Sequence, residues 1–135
     1  MAAYTIVAGS REALAESVNT GTDQWAFALC SAVPGLTFTS GTTDLATSGG
    51  YTAGGANVST TSSGESAGVY KLILAAPAVW TASGGGFTFR YIALVDKTTN
   101  QVMGYWDYGS SVVMNGTNAD TFTFTPDAVN GVINI

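Results

Sequence analysis

The sequence predicts an all-β fold: a single antiparallel β-sandwich or jelly-roll-like domain with at most one short helix near its N-terminus. Three observations predict it. Apolar runs suited to strands recur at intervals of roughly ten residues with turn signals between them, the signature of antiparallel sandwiches. Phe87, Phe89 and Tyr91 alternate with Thr88 and Arg90, the period-2 pattern of a strand with one buried face. Thr121-Phe122-Thr123-Phe124-Thr125 repeats that pattern near the C-terminus. A chain of 135 residues is long enough for one domain. The β pattern occupies residues 21–135, and residues 1–20 read as an N-terminal arm or a short strand plus helix.

The elements follow in order. Residues 2–8 make a short strand around Tyr4, Ile6 and Val7, and Ser10 is placed to cap a helix over Arg11 to Val18. Asp23 to Ser31 is a strand with Trp25, Phe27 and Leu29 on one face. Its other face holds Gln24, Ala26, Ala28 and Cys30, small enough for another layer to approach. Pro34 to Ser66 is rich in Gly, Ser and Thr, and a structureless loop of that length is unusual in a compact domain. A short strand is therefore expected near residues 57–61. Val69 to Ala75 is a strand with Tyr70, Leu72 and Leu74 inward. Residues 79–108 form a central hairpin that turns at Asp96 to Gln101. Val112 to Met114 and Val132 to Ile135 supply further strands, and Asn115-Gly116 marks a turn.

Composition excludes several kinds of chemistry. Hydrophobic residues make up 46% and charged residues 10%, with a net charge of −5. Average domains carry about 25% charged residues, so the surface must be largely hydroxyl, amide and glycine, or be covered by neighbours. Arg11, Lys71, Arg90 and Lys97 are the whole basic complement. They are too few and scattered to neutralise nucleic-acid phosphates or an anionic membrane. The longest apolar run, Leu72 to Trp80, is short and broken by Pro77. No basic segment followed by an apolar stretch opens the chain, so cytoplasmic synthesis without a secretion signal is expected. The absence of histidine removes Ser-His-Asp and Cys-His catalysis and most zinc sites. Cys30, the lone cysteine, lies in an apolar run and reads as a small core residue. The expectation is a non-enzymatic chain with no catalytic, metal-binding or cofactor-binding residues.

Two features invite a functional reading beside a structural one. Asp107 lies between Trp106 and Tyr108 and is either a ligand-binding carboxylate or the cross-strand partner of Arg90. Tyr51, Trp80, Tyr105, Trp106 and Tyr108 are candidate interface residues, either a sugar-binding platform or core and protein-contact aromatics. The glycines of Gly49 to Gly55 lack the Gly-Lys-Ser/Thr of a phosphate loop. Gly pairs on either side of Tyr51 signal backbone in positive φ or pressed close to a neighbour.

GGYTAGG (residues 49–55), VWTASGGGFTFRYIALVDKTTNQVMGYWDYG (residues 79–109) and DTFTFTPDAVNGVINI (residues 120–135) together resemble a family of small structural proteins of tailed-bacteriophage virions. The resemblance spans roughly Asp23 to Ile135; the Ser/Thr-rich stretch from Ser59 to Ser66 and the Ala-rich N-terminus depart from it. It implies a non-enzymatic protein made in the host cytoplasm and placed on the virion, decorating or cementing the capsid exterior. The implied partners are the major capsid protein and further copies of the chain, as in a homotrimer. A tail or fibre module that binds host-surface glycan through Tyr51, Tyr105 and Trp106 is the alternative.

Overall fold

In the computed structural model, residues 3–135 are described, so Ala2 of the expected first strand lies outside the described residues. The elements run β1 (Tyr4–Ile6), α1 (Ser10–Glu16), β2 (Trp25–Cys30), β3 (Ala56–Val58), β4 (Thr60–Ser66) and β5 (Val69–Leu74). They continue with β6 (Trp80–Thr81), β7 (Phe87–Asp96), β8 (Gln101–Met114), β9 (Thr121–Phe122) and β10 (Ile133–Asn134). A five-stranded sheet has the order β1-β8-β7-β2-β3, a three-stranded sheet the order β10-β5-β4, and β6 pairs with β9. Every ladder is antiparallel. The two larger sheets enclose one core, so the protein is an all-β sandwich with one short helix.

All six residues of β2 are buried. Trp25, Phe27 and Leu29 enter the main core with Leu72, Leu74, Phe124 and Ile133. Ala28 and Cys30 point the other way, into a smaller cluster with Tyr91, Ala93, Val95 and Val102. The small side chains on that face do admit a third layer, as the sequence predicts. It is a loop. Val102 N–H donates to the Leu36 carbonyl (2.7 Å) and Phe38 N–H to the Asn100 carbonyl (2.9 Å). These bonds lay Phe38 against the sheet, where it joins Val7 in the smaller cluster.

The stretch rich in Gly, Ser and Thr is more ordered than its composition suggests. The expected strand near residues 57–61 is two strands: β3 ends on the five-stranded sheet, and after Ser59 the chain continues as β4 on the three-stranded one. β3 covers only Trp25 to Phe27 of β2. Beyond it, the loop over residues 39–55 completes the ladder. Leu29 N–H donates to the Tyr51 hydroxyl (3.1 Å), and Leu45 N–H donates to the Leu29 carbonyl (2.9 Å). The Tyr51 hydroxyl donates in turn to Asp44 Oδ2 (2.6 Å), which also accepts from Gly54 N–H (2.7 Å), while Asp44 Oδ1 accepts from Gly41 N–H (2.6 Å). A Cβ at Gly49 would overlap the Gly86 carbonyl, and one at Gly50 the Thr81 carbonyl. Both glycines have positive φ. The GGYTAGG motif is thus a packed knot that drives one tyrosine into the core.

Five expectations are corrected. Gly9, not Ser10, is the residue before the helix; at φ 85° it turns the chain left-handed, which suits glycine. Ser10 is therefore already helical, and its buried hydroxyl has no hydrogen-bond partner among the described residues. The helix closes at Glu16, where Ser17 N–H and Oγ both reach the Ala13 carbonyl. Trp80 leaves the central hairpin to pair with Phe122 of β9. Val112 to Met114 is no separate strand, because β8 runs through Gly109 (φ 84°) without a break. Thr121 to Thr125 pairs only through its first two residues; Phe124 then drops into the core and Phe122 stays half-buried.

Tyr51→Phe should destabilise the fold by about 1–3 kcal/mol, because it leaves Leu29 N–H without an acceptor and deprives Asp44 of a donor inside the protein. Urea unfolding measures this. A loss below about 0.5 kcal/mol would mean that the loop docks by apolar packing alone.

Candidate functional site

The five aromatics singled out from the sequence do not share a surface. Tyr51, Trp80 and Trp106 are 1%, 7% and 6% exposed and belong to the main core. Trp106 packs against Tyr4, Phe27 and Phe124 at centroid distances of 4.8, 6.0 and 5.0 Å. Tyr108 is half-buried against the same core, edge-on to Phe89 and Phe122. A sugar platform built on Tyr51, Tyr105 and Trp106 is therefore absent. The reason is strand parity: successive residues of β8 point to opposite faces, which puts Tyr105 and Asp107 outside and Trp106 and Tyr108 inside.

What the outer face does assemble is a compact group of Arg90, Tyr91, Tyr105 and Asp107. The ladder shifts register between Phe89–Val112 and Tyr91–Asp107: Arg90 alone in β7 lies against Tyr108 to Ser111, so the surplus residues bulge from β8. Such a bulge re-aims a side chain locally. Here it turns the guanidinium across to β8. Arg90 Nε lies 2.8 Å from Asp107 Oδ1 and Nη2 3.1 Å from Oδ2, a two-pronged pair. Asp107 Oδ1 also accepts from Gly109 N–H (2.7 Å). Arg90 Cζ sits 5.3 Å from the centre of the Tyr91 ring, and the Tyr91 and Tyr105 rings meet edge to face at 5.6 Å. Hydrogen bonding to Arg90 and to Gly109 N–H holds the Asp107 carboxyl below its usual range, and the Asp107 bond raises Arg90 further. Both charges stay fixed at any ordinary pH. The structural reading of Asp107 holds, in that it pairs with Arg90. Sequence reasoning found the ion pair and the burial of Tyr91, but put that ring on the face of Phe87 and Phe89; at the ladder irregularity it turns to the smaller cluster instead.

The remaining titratable groups are committed elsewhere. Burial, with the Asp44 charge second, pushes the Cys30 thiol up to about 12, so it stays a neutral core side chain. Burial raises the Tyr4 and Tyr51 hydroxyls as well. Asp96 is buried at the hairpin turn, where its Oδ1 accepts from Thr98 N–H (2.9 Å) and Thr99 N–H (3.2 Å). Its Oδ2 finds no donor. A proton shared with the neighbouring Asp23 carboxyl would supply one. Accordingly its pKa rises to about 6, by burial first and by hydrogen bonding with Asp23 second. Among the described residues no three acidic or cysteine side chains converge as metal ligands, and no helix is long and apolar enough to cross a membrane. A cleft of about 430 Å³ opens between β1, α1 and β10, lined by Tyr4, Ile6, Leu14, Trp106 and Ile133.

No protein-family model, curated protein or solved structure matches the chain. The outer Tyr/Arg group is the surface best suited to function. Its Arg90, Tyr105 and Asp107 are half-exposed over the buried Tyr91, and it is carried on the longest hairpin and enriched in the residue types that anchor protein interfaces. Its one carboxylate, Asp107, is already engaged by Arg90 and by Gly109 N–H. What it offers a partner is the Tyr105 ring and a pre-oriented guanidinium.

Asp96 gives the fold a measurable pH dependence. Folding raises its pKa from the ordinary value near 3.9 to about 6, so the folded chain binds the proton more tightly than the unfolded one. The Asp96 contribution is largest below about pH 4, falls as pH rises from about 4 to about 6, and is level above that. The difference is on the order of 2–3 kcal/mol. Asp96→Asn should remove this slope from urea unfolding curves collected between pH 4 and 7, and should stabilise the protein at pH 7. An unchanged slope would assign the pH dependence to other groups.

Proposed function

We propose that the chain is a non-enzymatic structural protein of a tailed-phage virion that decorates or cements the capsid exterior through protein–protein contacts. The observation that carries the reading is the half-exposed pair of Tyr105 and Arg90, set against the buried Tyr91 ring, on an otherwise charge-poor domain; Tyr and Arg are the residue types that anchor protein interfaces. The resemblance of residues 49–55, 79–109 and 120–135 to virion structural proteins supports it. So does composition: with 10% charged residues, the surface suits a protein packed among neighbours. The major capsid protein is the proposed partner, and the outer group is the proposed contact. The glycan-binding alternative loses its platform, since Tyr51 and Trp106 are core residues.

Quantitative mass spectrometry of purified virions should find a copy number comparable to that of the major capsid protein; a handful of copies would place the protein on the tail instead. Tyr105→Ala should weaken binding to particles stripped of the protein by roughly tenfold or more, with the thermal midpoint measured in parallel to show that the fold persists. Undiminished binding would move the contact to another face.

A further inference from the structure

We propose that two copies of this chain associate through β4, pairing antiparallel about a two-fold axis at Gly64. This goes beyond the virion reading and does not depend on it. β4 is a seven-residue strand at the edge of the three-stranded sheet, and every residue after Thr60 is exposed. The other terminal strands of the two larger sheets, β1, β3 and β10, have two or three residues each.

The direction of its backbone groups follows from its hairpin. Ala67 and Gly68, both at positive φ, form a two-residue turn between Ser66 and Val69. In such a hairpin the flanking pair exchanges hydrogen bonds, and alternate pairs beyond it do not. Gly64 therefore bonds inward to Lys71, while Ser63 and Glu65 aim their N–H and C=O groups away from β5. The far side of β5 agrees. Tyr70, opposite Glu65, exchanges bonds with Ile135 (2.7 and 2.9 Å), and the Leu72 carbonyl, opposite Ser63, accepts from Val132 N–H (2.8 Å). Among the described residues no other segment donates to or accepts from the backbone of Ser63 or Glu65.

Natural edge strands are usually guarded by proline, lysine, an inward charge or a bulge. β4 has no proline or lysine, and its one irregularity lies at the far end, between Thr60 and Ser62. Its sequence also complements itself. About an axis at Gly64, Ser63 faces Glu65 of the second copy and Ser62 faces Ser66, so no like charges meet. The Ser63 and Glu65 groups then close four backbone hydrogen bonds. Gly64 faces its own copy at a pair where Cα atoms approach to about 4.5 Å, and nothing within 4 Å crowds the position of its missing side chain. The product is a six-stranded sheet, β10-β5-β4 continued by β4-β5-β10 of the second copy. It is a dimer rather than the trimer implied by the virion resemblance.

Sedimentation velocity of the purified chain over a concentration series tests the pairing. The wild type should show a monomer–dimer equilibrium. Ser63→Glu sets a carboxylate opposite Glu65 of the second copy, twice per dimer, and should raise the dissociation constant roughly tenfold. Ser63→Lys should lower it, and Ser63→Glu combined with Glu65→Lys should recover wild-type association. Thermal melts of each variant confirm folding. A wild type that stays monomeric throughout, or a dimer indifferent to the charge at position 63, would overturn the proposal. So would equal disruption by Glu and Lys. Copy number on virions is read separately: a monomeric protein abundant on heads would refute only the pairing, and a dimeric protein absent from heads only the virion role.

Discussion

The middle of the five-stranded sheet is dry on both faces, and that constraint shapes the molecule around it. Ala26 to Cys30, Ile92 to Asp96 and Val102 have no appreciable exposure, so each backbone N–H and C=O there must bond within the protein or cost as much as a lost hydrogen bond. Neighbouring strands satisfy only part of this demand. β3 is too short to flank all of β2, and β1 too short to flank the start of β8. The chain completes both edges with loop backbone and one side chain. Residues 36–38 and Val7 finish β8, while Leu45 and the Tyr51 hydroxyl finish β2. Asp44 is buried because it orients that hydroxyl.

This division explains which parts could be read from the sequence. Strands with one wet face announce themselves by alternation, so β5 and the start of β7 were legible from Tyr70, Leu72, Leu74 and from Phe87 and Phe89. β2 was legible from its aromatic and aliphatic run, and its small reverse face correctly signalled a covering layer. β4 was not legible. A strand of Thr, Ser, Gly and Glu has no apolar period, and it forms because β5 and the Ala67-Gly68 turn template it. The outer Tyr/Arg group was half legible: opposite charges on adjacent strands suggested the Arg90–Asp107 pair, but the ladder irregularity beside Arg90 leaves no mark in composition. Tyr51 was legible as one of two alternatives, sugar platform or core aromatic, and the core reading holds: the glycines around it let backbone press against backbone so that the ring can go in.

The same economy governs the charges. Of the nine acids, Asp44, Asp96, Asp107, Asp120 and Asp127 each accept backbone N–H groups at a turn or loop. They serve as local connectors. Few charges remain to define a surface, and Arg90 with Tyr105 stands out because the hydroxyl-rich surface around it is so plain.

The pairing of Tyr4 with Trp106 has a consequence for how the chain is made. β1 takes its place only after residue 106 has followed it out of the ribosome, and β2 likewise waits for Tyr91 to Asp96 of β7. Contacts this distant in sequence slow folding, since the chain must close a long loop before any bond rewards it. During that interval Trp25, Phe27 and Leu29 are unshielded. The nascent protein therefore passes through a sticky stage that its finished form conceals, and the number of chains being made side by side becomes a condition of folding.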